Sequence, residues 1–349
     1  MTLQVFLNHL GFGLPLFAIS VALTWAASRM AWVMDVPNQR SSHARPVPRT
    51  GGVAIVGTFI AGLVTIYFVA DIARIEDRYF WGFLACVALL ATVSFVDDVN
   101  QRSYIAKLVT HALCAGAVIL AGLTVEKLWV PMLGEVPLGW LAYPVTFLWV
   151  VGLTNVCNFM DGLDGLAAGV AVIAGTFLCA IAFSQQSPFV YAVSYALVAS
   201  ALGFLVFNFP PARIFMGDSG STFLGFTFAA LAVIGAHLDL GHLSFYVVPM
   251  LLFQFVFDSF FTFVRRLVRG EPVHLAHRTH LYQLLNRTGF SHRTVSLFHY
   301  ATAAAQGIAA CVLVIMEPSR RILMFVPFLI FNCAYAWWTL RRAKAAGLI

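Results

Sequence analysis

The chain has 349 residues, of which 60% are hydrophobic and only 10% charged. A water-soluble domain carries about 25% charged residues, so a soluble globular protein is excluded and an all-α, polytopic membrane protein is expected. The net charge of +6 matters less than where the charges lie, and no basic block points to nucleic acid as a partner.

A bilayer core needs roughly 20 apolar residues per helix. On that ruler eleven spans are expected, at about 4–27, 51–70, 79–96, 107–124, 139–157, 165–183, 189–207, 220–236, 244–263, 295–316 and 321–340. Met1 to Ala26 lacks a basic n-region and a small-residue cleavage site, so it reads as a first span and not a signal peptide. The last span ends in Arg341-Arg342-Ala343-Lys344, a snorkelling stop. The six cysteines stand singly, five of them in apolar runs, and read as small core residues instead of disulfides or metal ligands.

Eleven spans place the two ends on opposite sides of the membrane. Sixteen of the 21 Lys and Arg residues then fall on one side, which the positive-inside rule makes cytoplasmic, with the N-terminus periplasmic and the C-terminus cytoplasmic. Asp35, Asp97, Asp98, Asp161, Asp164, Asp218, Asp258 and Glu271 lie on that same side, nearly all beside glycine, asparagine or another acid. The outer acids carry no motif. One composite cytoplasmic site is therefore expected.

Five inner loops supply it. The first, Asp35–Gly52, has three prolines and a double glycine, a fixed non-helical path with free backbone N–H groups. Its Arg40, Arg45 and Arg49 suit phosphate oxygens, though anionic lipid would also attract them. In the second, Asp97 and Asp98 are adjacent at the end of an apolar run; they repel, and a divalent cation or a basic partner would relieve them. The third is Asn155–Gly169. Asp161 and Asp164 share a face if the segment is helical, Gly162 and Gly165 remove bulk beside each, and Asn155 and Asn158 add neutral oxygens and amide donors. In the fourth, Pro210-Pro211 ends a helix and Asp218-Ser219-Gly220-Ser221 opens another, so Asp218 is either a cap or a ligand. Phe215 is a lone aromatic there, apt for stacking on a flat base. The fifth, about 265–294, holds His274, His277, His280 and His292 among six arginines, Arg278 included. The His-x-x-His-x-x-His spacing fans around a helix without a cysteine or acid to complete a zinc site, and a basic cradle for a polyanionic substrate is favoured. His111 reads as a helix-packing or interfacial residue, and Asp258 as facing the bundle and paired with a cation.

With these loops together, the chain resembles the polyprenyl-phosphate N-acetylhexosamine-1-phosphate transferase family over nearly its whole length. The resemblance rests on D-x-P-N-x-R-x-x-H-x-x-P-x-P-R-x-G-G at 35–52, the Asp97-Asp98 pair, N-F-M-D-G-L-D-G-L-A at 158–167 and N-x-x-P-A-R-I-F-M-G-D-S-G-S at 208–221. It implies a single integral membrane transferase domain over residues 1–349, in the inner membrane of a bacterium. The implied reaction moves a sugar-1-phosphate from a UDP-N-acetylhexosamine to undecaprenyl phosphate and releases UMP. It further implies Mg²⁺, with Mn²⁺ as a substitute, and admits a homodimer surrounded by membrane lipid. Carried over by position, Asp218 is the principal metal ligand with Asn158 a second. Phe215 stacks on uracil, with Asp164 and Asn208 lining that pocket and Asn155, Arg49, Lys107 and Arg278 as further substrate contacts. Asp97 acts on the lipid phosphate, and Asp98, Asp161 and His280 complete the catalytic set. The segment His277-Arg278-Thr279-His280-Leu281-Tyr282-Gln283 departs from the family's usual His-x-His-His. It resembles the branch that starts O-antigen or related surface glycans, and argues against the phospho-N-acetylmuramoyl-pentapeptide transferase. A secondary transporter with intramembrane acids is the reading from another class; it would place such acids near the midplane on broken helices, not at cytoplasmic ends.

Overall fold

In a computed structural model the described residues are 3–30, 33–37, 45–70, 75–100, 104–130, 132–237, 243–273, 275 and 277–349, with side chains for all but 3–8 and 104. They form α1 (Leu3–Arg29), β1 (Met34–Asp35), β2 (Val47–Pro48), α2 (Gly51–Val69), α3 (Asp77–Asn100), α4 (Tyr104–Leu120), β3 (Lys127–Val130), β4 (Gly134–Pro137), α5 (Ala142–Phe159), α6 (Leu166–Ser184), α7 (Pro188–Asn208) and α8 (Gly217–His237). After these come α9 (Val247–Leu251), α10 (Phe253–Val268), α11 (Leu281–Arg287), α12 (His292–Ile315) and α13 (Phe325–Ala345). The strands make two small antiparallel hairpins, β1–β2 and β3–β4. The protein is an all-α, polytopic membrane protein.

Each of the eleven expected spans holds helix, but they are not equal. Nine helices among the described residues are long and apolar enough to cross a bilayer, and the segment Ile105–Leu120 is a shorter apolar one. The expected span at 244–263 is not continuous. It breaks at Leu252, whose φ of −114° and ψ of 18° lie outside helical values, leaving α9 before it and α10 after it. α10 then runs on to Val268, so Asp258 falls in a helix whose C-terminal end carries Arg265 and Arg266.

α8 lies at the centre, with 94% of its apolar window buried, against 17% for α1 and 22% for α13. Its small residues let α2, α3 and α5 pack closely around it. Aromatic pairs such as Phe59 with Phe223, at 4.8 Å, fill the spaces between helices. Buried polar groups cross from helix to helix: Ser20 Oγ donates to Ser200 O at 2.6 Å, and Trp149 Nε1 to Ala229 O at 3.1 Å. In an apolar surround such groups need a partner inside the protein. At the C-terminal stop the basic side chains lie over aromatic rings, Arg341 on Trp337 at 4.4 Å and Arg342 on Phe290 at 5.0 Å. The consequence for function is at one end of the bundle, where the N-terminus of α8 meets the ends of α3, α4 and α5.

Candidate active site

The first and fourth loops fold onto one another. β2 continues into a short zipper in which Phe215 N–H donates to Pro48 O at 2.7 Å, Gly51 N–H to Phe215 O at 3.0 Å and Gly52 N–H to Met216 O at 2.8 Å. A Cβ on Gly52 would strike the backbone of Gly220, so the double glycine is what lets the start of α2 reach the start of α8. The zipper aims Arg49 inward. Its Nη2 lies 2.6 Å from Asp98 Oδ1 and 3.7 Å from Asp218 Oδ1. Burial disfavours the charge on Arg49, but Asp98, Asp218, Asp35 and Asp97 outweigh that and raise its pKa.

Asp97 and Asp98 do not confront each other. Successive helical residues point about 100° apart and do not face one another, and each acid has found its own cation. Asp98, 2% exposed, holds Arg49 and also accepts Asp218 N–H at 3.1 Å and Ser219 N–H at 3.2 Å. It caps α8 from a neighbouring helix, where the N-terminal N–H groups favour an anion. Gly217, at φ +69°, makes room for it, since a Cβ there would sit 2.6 Å from Asp98 Oδ2 and 2.7 Å from Arg49 O. Asp97 turns the other way. Its Oδ2 is 2.9 Å from Lys107 Nζ, and its Oδ1 is buried with no hydrogen-bond partner.

Lys107, on the first turn of α4, also reaches Asp218 Oδ2 at 2.5 Å. Asn158, at the end of α5, donates Nδ2 to Asp218 Oδ1 at 3.1 Å and to Ser221 Oγ at 2.9 Å. Asp218 therefore joins α3, α4, α5 and α8 at one point. Asp161 stands at the edge of this group, in the turn between α5 and α6. Burial, with Asp218 and Asp98 nearby, pushes its carboxyl well above the usual carboxylate range, Arg49 opposing only in part. Asn155 lies one turn earlier on α5, donating to Val151 O at 2.7 Å and facing His111 Nδ1 at 3.1 Å. His111 packs between helices as expected: buried one helical turn beyond Lys107, it ties α4 to α5.

Asp164 and Asn208 are brought together, yet as a clamp. Asn208 is 3% exposed; its Oδ1 accepts Gly165 N–H at 3.0 Å and its Nδ2 donates to Ile214 O at 2.8 Å. Both ends of the amide are engaged, so Asn208 ties the Gly165 turn to the loop before α8. Asp164 accepts Ala212 N–H at 3.0 Å and lies 3.1 Å from His292 Nδ1. His292 had been expected only as part of a basic cradle. Phe215 is half-buried, with its backbone held in the zipper.

The fifth loop is organised by Asp258. Fully buried on α10, it accepts Leu281 N–H at 2.9 Å and Tyr282 N–H at 3.0 Å, and lies 3.3 Å from His280 Nδ1. The partner expected of it is His280, but the larger role, capping α11, was not anticipated. His280 accordingly serves the start of α11 and is not a direct partner of the Asp218 cluster. His277 stacks on it with ring centroids 4.9 Å apart; His274 lies outside the described residues, as does Arg40. Arg278, half-buried near Arg287 and Tyr282, has its pKa lowered by burial and by Arg287.

Oxygen-bearing groups from several helices thus gather around two fixed cations, Arg49 and Lys107. The family described as "Glycosyl transferase family 4" matches residues 80–236. The chain is 35% identical to the probable undecaprenyl-phosphate N-acetylglucosaminyl 1-phosphate transferase of Bacillus subtilis, over 80% of this chain and 77% of that one. The chain belongs to the polyprenyl-phosphate N-acetylhexosamine-1-phosphate transferase family. It is also 27% identical to the decaprenyl-phosphate N-acetylglucosaminephosphotransferase of Mycobacterium tuberculosis, over 89% and 86% of the two chains. With the phospho-N-acetylmuramoyl-pentapeptide-transferase of Listeria monocytogenes it shares 31% identity over 64% and 70%. As a member of this family the protein is a multi-pass membrane transferase of sugar-1-phosphate groups. The segment matched to the family carries Asp97, Asp98, Lys107, Asn158, Asp161, Asp164 and Asp218, the residues that the fold gathers.

Proposed function

We propose that the protein transfers an N-acetylhexosamine-1-phosphate from a UDP-sugar to undecaprenyl phosphate at the cytoplasmic face of a bacterial inner membrane, releasing UMP and starting a surface polysaccharide such as O-antigen. The observation that carries the reading is the unspent oxygen of Asp97, buried beside Lys107 at the meeting point of Asp98, Asp218 and Asn158. A buried carboxylate oxygen without a partner is costly, and it marks where a substrate proton or a cation is to be received.

In the reaction, an oxygen of the lipid phosphate bonds to the phosphorus that bears the sugar, and the bond from that phosphorus to the bridging oxygen of UMP breaks. Asp97 Oδ1 takes the proton of the lipid phosphate when it arrives as a monoanion. Lys107 and Arg49 hold the phosphate oxygens by charge. Phe215 stacks on uracil, in a pocket shaped by Asp164 and Asn208, while Asp161 and Arg278 place the rest of the nucleotide-sugar.

The donor set suits a hard divalent cation. Asp97, Asp98 and Asp218 in their ionised forms carry one more negative charge than Arg49 and Lys107 offset, and carboxylate oxygens are what Mg²⁺ prefers. Asp218 would hold it, with Asn158 joining only if its amide turned its oxygen to Asp218, since the nitrogen faces that acid now. When bound, Mg²⁺ or Mn²⁺ supplies neutralisation of the diphosphate.

The test is UMP release from membranes containing the protein, given undecaprenyl phosphate, Mg²⁺ and a panel of UDP-N-acetyl sugars. The panel includes the N-acetylglucosamine, N-acetylgalactosamine, 6-deoxy N-acetylfucosamine and N-acetylquinovosamine forms and the N-acetylmuramoyl-pentapeptide. One of the first four is expected to give UMP that depends on both lipid and metal, and a chelator is expected to abolish it. Turnover without lipid, or with the pentapeptide alone, would sink this reading.

A further inference from the structure

The turn that carries Asp161 is closed by a hydroxyl from a different part of the chain. Tyr282, on the first turn of α11, has no exposed surface. Its hydroxyl donates to Phe159 O at 2.8 Å and accepts the N–H of Gly162. Those two backbone groups bracket Asp161. A Cβ on Gly162 would collide with the same hydroxyl and come within 3.0 Å of Gln283 Nε2, so glycine is required there by Tyr282 and not by the turn alone.

The tyrosine is itself held. Its backbone N–H is bound by Asp258 Oδ2 at 3.0 Å, and the Gln283 side chain turns back to accept His280 N–H at 3.4 Å. A continuous path therefore runs from the buried Asp258 on α10, through the start of α11, to the two peptide groups flanking Asp161. A phenylalanine would fill the same volume. The buried hydroxyl costs desolvation that its hydrogen bonds with Phe159, Gly162 and the Gln283 side chain offset, and two of those three partners are the backbone groups of the turn it grips.

We propose that Tyr282 is a positioning residue that sets Asp161 against Asp98 and Asp218 by fixing the Phe159–Gly162 turn, an inference that rests on the transferase reading above. The side chain touches no substrate; it acts through the geometry of the turn. Misplacement of a reacting centre by about 1 Å costs on the order of a hundredfold in rate, and a hydroxyl lost from this turn allows a shift of that kind.

Three variants, Tyr282→Phe, Gly162→Ala and the two combined, test it. Each is assayed for UMP release with the panel sugar that wild-type membranes turn over fastest, and each is checked for its thermal unfolding midpoint in detergent. Tyr282→Phe is expected to lower kcat by roughly ten- to a hundredfold, with an unchanged KM for undecaprenyl phosphate, because Asp97 and Lys107 are untouched. Gly162→Ala is expected to lose activity, and the double variant to exceed Gly162→Ala alone, since the missing oxygen leaves room for the methyl group. A packing role would lower the midpoint without this split between kcat and KM and without reciprocal rescue. Wild-type kcat in Tyr282→Phe, or no rescue in the double variant, overturns the inference alone. Absence of UMP from the wild type with every sugar overturns the transferase reading and the inference with it.

Discussion

Asp97 and Asp98 are neighbours in the chain and opposites in the fold. Asp98 is consumed by structure: one guanidinium and two N-terminal N–H groups of α8 converge on it. Asp97 shares Lys107 with Asp218 and keeps one oxygen unspent. Their variants should therefore fail differently. Asp98→Asn is expected to lower the unfolding free energy by roughly 3 kcal/mol, the scale of breaking one side of a buried pair, because Arg49 is left with only the longer contact to Asp218 at 3.7 Å. Asp97→Asn should keep its midpoint near the wild type, since Lys107 retains Asp218, and yet release no UMP. Thermal unfolding in detergent beside the UMP assay separates the two, and an unstable Asp97→Asn with a stable, active Asp98→Asn would reverse the assignment. The pair was visible in the sequence as an anomaly. Which member is spent was not, because that depends on Arg49 and Ser219, which are distant in the chain and arrive only through the loop zipper.

At the scale of elements, the legible features were those that local chemistry dictates. Apolar runs became helices, Pro210-Pro211 ended α7, and Asp218 stands in the first turn of α8. The features that escaped were side chains of one element completing another, as Asp258 on α10 does for α11 and His292 on α12 does for the turn at Asp164. No local pattern marks these; an acid in the middle of an apolar helix shows only that it needs a partner. The His277 region has a consequence for pH. Burial first, then His280, Arg266 and Arg265, depress the His277 pKa to about 4, whereas an unfolded histidine titrates near 6.5. Between those values the unfolded chain binds more protons than the folded one, so stability is present above that window and is lost as the pH falls through it. His277→Gln is expected to flatten this decline. The check is the unfolding midpoint of both proteins measured from pH 7 down to pH 4; parallel curves would show that His277 does not contribute.

For the whole molecule, the decisive question is which way the bundle faces. The acids, the two cations and the arginines of the fifth loop gather where α3, α5, α7 and α10 end and where α4, α6, α8 and α12 begin. Alternation of helix direction therefore places every group of the site at one end of the bundle, a relation the loop pattern already implied. The break at Leu252 leaves α9 and α10 in succession between α8 and the fifth loop, where one continuous span was expected. A nucleotide-sugar made in the cytoplasm can meet a lipid phosphate at this end only if it faces inward, and the excess of Lys and Arg on the same loops supports that direction. The prediction is that green fluorescent protein fused after Ile349 will fluoresce, while alkaline phosphatase at the same position will be inactive and in the Gly134 turn of the β3–β4 hairpin active. A fluorescent hairpin fusion with an active C-terminal phosphatase would turn the bundle over. The acidic centre would then face a compartment without nucleotide-sugars, and the proposed donor could not reach it.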